Sequence, residues 1–266
     1  MWFERLGAGS PVGPSLCALG SVALACGVVA HGILRWPTIL ATRPERDGRP
    51  PAFSERLSVH MLIYGVWAAG FGAVVWRGVP PGAIDVRFAF ERRWPVIAAA
   101  EWIYLSVYFV PLAMPWLPVS RGALRRYSLH LWVLLAISLG CFLLPLGVPP
   151  RPFVPASLAG EILAWETNRA DFAAASLPSF HVFWGLLVGS LLATCGGVAA
   201  LLGRAWAVAV ALSCIATGAH ALADVAASLL IYAVVAARVD ATALRPEARP
   251  IRNPAIAPSA SPPSPK

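Results

Sequence analysis

Six long, nearly uncharged apolar stretches leave this chain few ways to fold. They run from about Ser15 to Leu34, Leu57 to Trp76, Pro95 to Leu117, Ser128 to Val148, His181 to Leu202 and Ala205 to Ala237. Most are close to the ~20 residues with which a helix crosses a ~30 Å hydrocarbon layer. The last, about 33 residues, is too long for one crossing and sufficient for two short ones. A break at Thr217-Gly218 divides it, so seven spans are expected. With 58% hydrophobic residues, 13% charged residues and a mean hydropathy of +0.68, the chain lies outside the range of ordinary soluble domains.

The first stretch does not read as a cleaved leader. Glu4 offsets Arg5, and the apolar run continues past the small residues around Cys26, so it is expected to remain as a helix. The five cysteines (Cys17, Cys26, Cys141, Cys195, Cys214) are scattered through expected spans without metal-ligand spacing and read as small buried hydrophobes. No metal and no cofactor is expected.

A formal charge of +8 is compatible with nucleic-acid binding, but the placement of the charges argues for membrane topology instead. With the N-terminus outside, fourteen of the 21 Lys and Arg residues fall in cytoplasmic segments. The outer segments hold the remaining seven: Arg5, Arg77, Arg87, Arg92, Arg93, Arg151 and Arg169. This orientation puts the C-terminus in the cytoplasm. Trp36, Trp76, Trp94, Trp116 and Trp184 fall near span ends, as interfacial tryptophans do.

Two segments depart from the helical pattern. Beyond about Val239 the chain is rich in Pro, Ala and Ser, and it reads as a disordered cytoplasmic tail. The segment from Pro149 to Ser179 is long enough for function to be a better expectation than simple connection, with a short interfacial helix at Ala159 to Trp165. The expected organisation is therefore an N-terminal helix and basic loop (1–55), a six-helix core (56–239) and a tail (240–266). The fold class is an all-α polytopic membrane helix bundle.

Chemistry concentrates at two histidines, both on the outer side of this topology. His220 has Asp224 four residues on, which in a helix puts the two side chains on one face. A carboxylate accepting from one imidazole nitrogen fixes the tautomer and leaves the other nitrogen free as a nucleophile. The same pair would also serve as a tether between two helices. His181 follows Pro178-Ser179-Phe180 at the start of the fifth span, placed to protonate a leaving oxygen while Ser179 and helix-start N–H groups bind an anion. Ser and Pro at a helix start are equally ordinary capping residues. Together with Arg151, these residues are the parts of a phosphoryl-transfer site: a nucleophile, an acid and cationic stabilisation. Arg169 is a candidate for a further cation, against the reading of a solvated loop charge. Glu101, inside the third span, reaches either the pocket or a neighbouring helix. His31, His60 and His130 read as packing or interface residues.

These residues resemble the type-2 phosphatidic acid phosphatase superfamily. Pro178-Ser179-Phe180-His181 matches its Pro-Ser-x-His motif, and Ser213, His220 and Asp224 stand at the spacing of its third motif, with Cys214 where the family has arginine. Arg151-Pro152 matches the end of the first motif, with Leu144 where the family has lysine. The resemblance covers roughly Leu57 to Val239. The form seen here is most similar to the branch containing inositol phosphorylceramide and sphingomyelin synthases.

The resemblance implies that His220 forms a phosphohistidine, Asp224 orients it and His181 protonates the leaving alkoxide, while Arg151, Ser179 and Ser213 hold the phosphate. The loss of two cations moves the expectation from plain hydrolysis toward transfer between lipids. The expected partners are a lipid phosphate substrate and the membrane, with no nucleic acid. The expected location is a cytoplasmic membrane, bacterial by the arginine- and alanine-rich composition, with the site facing out. The rival reading is a non-catalytic transporter or scaffold that keeps the architecture.

Overall fold

The computed structural model describes residues 50–167 and 170–243. The expected first span, Arg169 and the tail beyond Ala243 lie outside the described residues, while residues 240–243, expected to open the tail, continue the last helix. Among these residues the fold is all-α, with only two short strands. Helix α1 spans Phe53–Arg77; its Glu55 carboxylate accepts from the Ala52 N–H at 2.7 Å, and Gly78 (φ 73°) closes its last turn. Strand β1, Ile84–Asp85, pairs in parallel with β2, Leu146–Gly147. The clip ties the chain after α1 to the chain after α4, Arg121–Cys141, whose N-terminus is capped by Ser120. Helix α5, Leu158–Thr167, is the short helix expected in the long loop.

The remaining elements carry the motifs. Helix α6 covers Phe180–Ala193, α7 Gly197–Ala216 and α8 Leu222–Ala243. Helix α7 ends at Thr217, and Gly218 takes φ 75°, so the long apolar run divides where its Thr-Gly pair implied. Helices α1, α7 and α8 are each long and apolar enough to cross a membrane. Outward-facing Leu201, Leu212, Leu230 and Val234 give α7 and α8 apolar flanks suited to lipid.

Three expected spans differ from the observed elements, the fourth because α4 runs from Arg121 to Cys141 rather than from Ser128 to Val148. The third, Pro95 to Leu117, is not one helix: a 3-10 turn at Ala98–Ala100 leads into α2, Glu101–Ser106, followed by α3, Val110–Ala113, and another 3-10 turn at Met114–Trp116. Pro111 and Pro115 each begin one of these pieces, because proline lacks the N–H that would continue the ladder. The fifth, His181 to Leu202, stops at Ala193. Gly196 (φ 71°) and Gly197 (φ 51°) reverse the chain there, and the apolar residues beyond belong to α7. Fourteen residues of α6 rise only about 21 Å. The helix therefore works as a packed core element, with Val182, Phe183 and Val188 at most 1% exposed.

Helices α6 and α7 pack along their lengths with small residues at the contact. A side chain at Gly189 would come within 3.1 Å of the Gly203 carbonyl oxygen, and one at Gly203 within 2.7 Å of Leu192 Cβ. Such close approach of backbones is how membrane helices associate where lipid competes for every apolar contact. The core continues through Val59 and Ile63 of α1, Leu124, Leu131 and Leu134 of α4, and Val210 of α7. The start of α6, the end of α7 and the start of α8 come together at one end of this bundle.

Candidate active site

The turn between α7 and α8 carries His220, and several bonds fix its shape. His220 N–H donates to the Cys214 carbonyl at 3.1 Å, and the Thr217 hydroxyl donates to Ser213 O at 2.9 Å. Arg87 Nη2 donates to Gly218 O at 2.9 Å and to Pro149 O at 3.1 Å, joining the turn to the segment before Arg151. The Glu91 carboxylate accepts from Phe88 N–H at 3.0 Å and from Leu222 N–H, at the start of α8, at 2.8 Å. Arg87 and Glu91 are both buried. Nothing in the sequence spacing of Arg87 and Glu91 shows that the chain folds back over the turn.

On this frame His220, His181 and Asp224 form a chain of contacts. His220 Nδ1 lies 3.3 Å from Asp224 Oδ2, and His220 Nε2 lies 3.4 Å from His181 Nδ1. Asp224, fully buried, also accepts from Ala221 N–H at 2.9 Å. It sits in the first turn of α8, where the helix dipole favours a negative charge. His181 is wedged by rings: Tyr104 stacks on it with centroids 4.0 Å apart, and Tyr108 meets it edge-on at 5.4 Å. The expected pairing of His220 with Asp224 is present, although His220 lies in the turn before α8 and not within the helix, and a histidine 39 residues earlier in the chain completes the row.

The other sequence candidates occupy different places. Ser179 caps α6 by accepting from Val182 N–H, and its hydroxyl lies 3.8 Å from the thiol of Cys214, the residue standing where a cation was expected. Ser213 is buried and donates back to Val210 O at 2.8 Å. Arg151 Nη1 donates to Trp94 O and Pro95 O at 3.0 and 3.2 Å, and Nη2 donates to Ile215 O at the end of α7. Its Nε has no partner. Burial lowers the Arg151 pKa from its ordinary value, neighbouring Arg87 lowers it further, and Glu91 opposes both. Leu144 is half exposed in the turn after α4.

A cavity opens beside the histidines, lined by Tyr104, Tyr108, Glu166, Ser176, His181 and His220 among others. A second, apolar cavity shares Phe71, Tyr108 and His181 with it and extends along Tyr64, Trp67 and Trp184. Glu166, on α5, lies in the cavity wall although no motif or spacing in the sequence singles it out. Burial raises its carboxyl to about 7, and a hydrogen bond with Glu101 works the other way. Glu101 is fully buried and is not among the residues lining the cavity; it stands beside Glu166 of the neighbouring helix α5, the interhelical one of its two expected roles.

An all-helical bundle with helices suited to a bilayer, and two histidines and an aspartate in contact at one end, fits a class of integral membrane protein with a polar centre at one end of the bundle. A model of the PAP2 superfamily matches residues 83–238, more than half of the chain, and the chain belongs to that superfamily. Members of the superfamily are phosphatases and phosphotransferases. The match begins after α1 and takes in every motif described above. Comparison with curated proteins gave no match, and neither did comparison with solved structures.

Proposed function

We propose that this protein is a lipid-phosphate phosphatase or phosphotransferase that works through a phosphohistidine at the outer face of a bacterial cytoplasmic membrane. The observation that carries the reading is the row Asp224, His220, His181, with Nε2 of His220 facing His181. With Nδ1–H donated to Asp224, the Nε2 lone pair attacks phosphorus, and the phosphorus–oxygen bond to the leaving alkoxide breaks. His181, in its protonated form, gives its proton to that oxygen. In the second half, an acceptor hydroxyl loses its proton to His181 as its oxygen attacks phosphorus, and the phosphorus–Nε2 bond breaks with its electron pair returning to His220, which restores both histidines.

In this reading Arg151, Ser179, Ser213 and Arg169 hold phosphate oxygens. Arg151 is anchored at the α7 end outside the described lining of the cavity, so its part rests on the motif it shares with the family. The apolar cavity that begins at His181 supports a lipid as the carrier of the phosphate. The missing cations at Leu144 and Cys214, with the motif forms noted above, favour transfer to a second lipid, as in the branch similar to inositol phosphorylceramide and sphingomyelin synthases.

The test is phosphate release and headgroup transfer by the purified protein on a panel of phospholipids, with His220→Ala as control. The expected result is turnover of at least one lipid and a loss on the order of 10³-fold or more in the variant. A panel with no turnover, or a variant equal to the natural protein, sinks the phosphohistidine and leaves the transporter or scaffold reading.

A further inference from the structure

Two buried charged residues have no part in the proposed chemistry. Arg87 is 5% exposed and Glu91 1%, and both come from the segment between β1 and α2. Burying a charge is costly unless its bonds compensate, so where those bonds go indicates what the burial serves. Arg87 Nη2 donates to Pro149 O, two residues before Arg151, and to Gly218 O, two residues before His220. Glu91 Oε2 accepts from Leu222 N–H, two residues after His220 and two before Asp224, while its Oε1 accepts from Phe88 N–H within its own turn. The chain is therefore gripped on both sides of His220. The grip has a fixed base in the β1–β2 clip, where Asp85 Oδ1 accepts from Arg87 N–H at 2.9 Å and Oδ2 from Arg92 Nη2 at 2.7 Å. Neither Arg87 nor Glu91 is among the described residues that line the cavity.

We infer that Arg87 and Glu91 are positioning residues for phosphoryl transfer, holding the α7–α8 turn so that Nε2 of His220 keeps its line of attack. The inference rests on the phosphohistidine reading and adds what keeps the nucleophile in place. A nucleophile displaced by about 1 Å loses about a hundredfold in rate, because the reacting atoms must lie near contact and in line. His220 stands between two helices, so no helical ladder fixes it, and its own N–H ties it to α7 alone through Cys214 O. Gly218, at φ 75°, gives the turn a backbone pivot, and Arg87 locks that pivot to the segment before Arg151. Glu91 ties the other end of the turn to the same frame. Arg87 has a second action on the row. Asp224 is fully buried, its Oδ1 has no hydrogen-bond partner, and the Arg87 charge acts on it. A nearby cation favours the carboxylate that orients His220.

The experiment is steady-state kinetics of the purified full-length protein on a lipid that it turns over, with Arg87→Met, Glu91→Gln and the charge-keeping Arg87→Lys and Glu91→Asp. Arg87→Met and Glu91→Gln are expected to lower kcat about a hundredfold with KM within about twofold of the natural value, because substrate contacts remain and alignment is lost. Arg87→Lys keeps a positive donor near both carbonyls and is expected to recover about tenfold of that loss. Where removal of a charge prevents folding, Arg87→Lys and Glu91→Asp carry the test, with kcat about tenfold below the natural value at unchanged KM. Unchanged kcat in Arg87→Met and Glu91→Gln overturns the inference. So does a rise in KM with kcat held, which puts the two residues in substrate binding, or an Arg87→Lys no more active than Arg87→Met. In each of these cases an inactive His220→Ala leaves the phosphohistidine reading standing. A natural protein that turns over no lipid removes that reading and this inference together.

Discussion

At the scale of single residues, His220 is constrained on both sides of its ring, and this makes Asp224 testable apart from the histidine. In Asp224→Asn the amide is free to donate to Nδ1, which moves the ring proton to Nε2 and removes the lone pair that attacks in the proposed mechanism. The expected loss in kcat is on the order of 10³-fold with KM little changed, read on whichever lipid is turned over. Gly218 is a second point of strain. It takes φ 75°, and a Cβ there would lie 2.7 Å from Arg151 Nε, so Gly218→Ala forces both an unfavourable backbone and a displaced guanidinium. The expected cost is about 1–2 kcal/mol, seen as a lower unfolding midpoint in detergent.

Glu166 gives a pH signature at the same scale. Its folded carboxyl is raised to about 7 from an ordinary 4.5, so the folded chain holds that proton more tightly than the unfolded one. The resulting stabilisation is complete below about 4.5 and is lost as pH rises through about 7. Glu101, Tyr104, Tyr108, His181 and His220 share its surroundings, so the contribution is read by difference. The unfolding midpoint of the natural protein relative to Glu166→Gln is expected to fall between about pH 5 and pH 8. A constant difference across that range would refute this account of the carboxyl.

At the scale of elements, the α6–α7 contact depends on residues too small to register as a hydropathy signal. Gly203→Val must push Leu192 aside and part the two helices, for an expected loss of about 2 kcal/mol. Gly72→Ala, on α1 with nothing within 4 Å of the added carbon, is expected to leave the midpoint unchanged or slightly raised. Thermal unfolding of the two variants side by side separates packing from helix propensity. The sequence showed the α7–α8 division through Thr217-Gly218, a polar and flexible pair inside an apolar run. It hid the end of α6, because the glycines at 196 and 197 sit among residues as apolar as the helices they separate. It also hid the pieces of the third span, where hydropathy averages over the prolines that break it.

At the scale of the whole molecule, the ends of α1 and α4, the start of α6 and the α7–α8 turn lie at one end of the bundle, and the α6–α7 turn lies at the other. Orientation in the membrane is thus a single yes-or-no property. Val154, 87% exposed in the long loop, is suited to replacement by cysteine, and native Cys195 is exposed at the opposite end. With the site facing out, a membrane-impermeant maleimide is expected to label Val154→Cys in intact cells and Cys195 only after lysis. The reverse pattern overturns the proposed orientation.

The sequence alone determined that this chain is helical and suited to a bilayer, and it singled out His181, His220 and Asp224 as the candidates for its chemistry. Those properties are written locally, in the length of apolar runs and in spacings of a few residues, which a single helix or turn expresses by itself. The tertiary structure decided the rest. It set His181 against His220, folded Arg87 and Glu91 over the turn that holds His220, and paired Glu101 with Glu166 beside them. Each of these joins residues from different elements. Which elements meet depends on how glycine faces, proline breaks and side-chain volumes pack together, and that is a property of the assembled bundle.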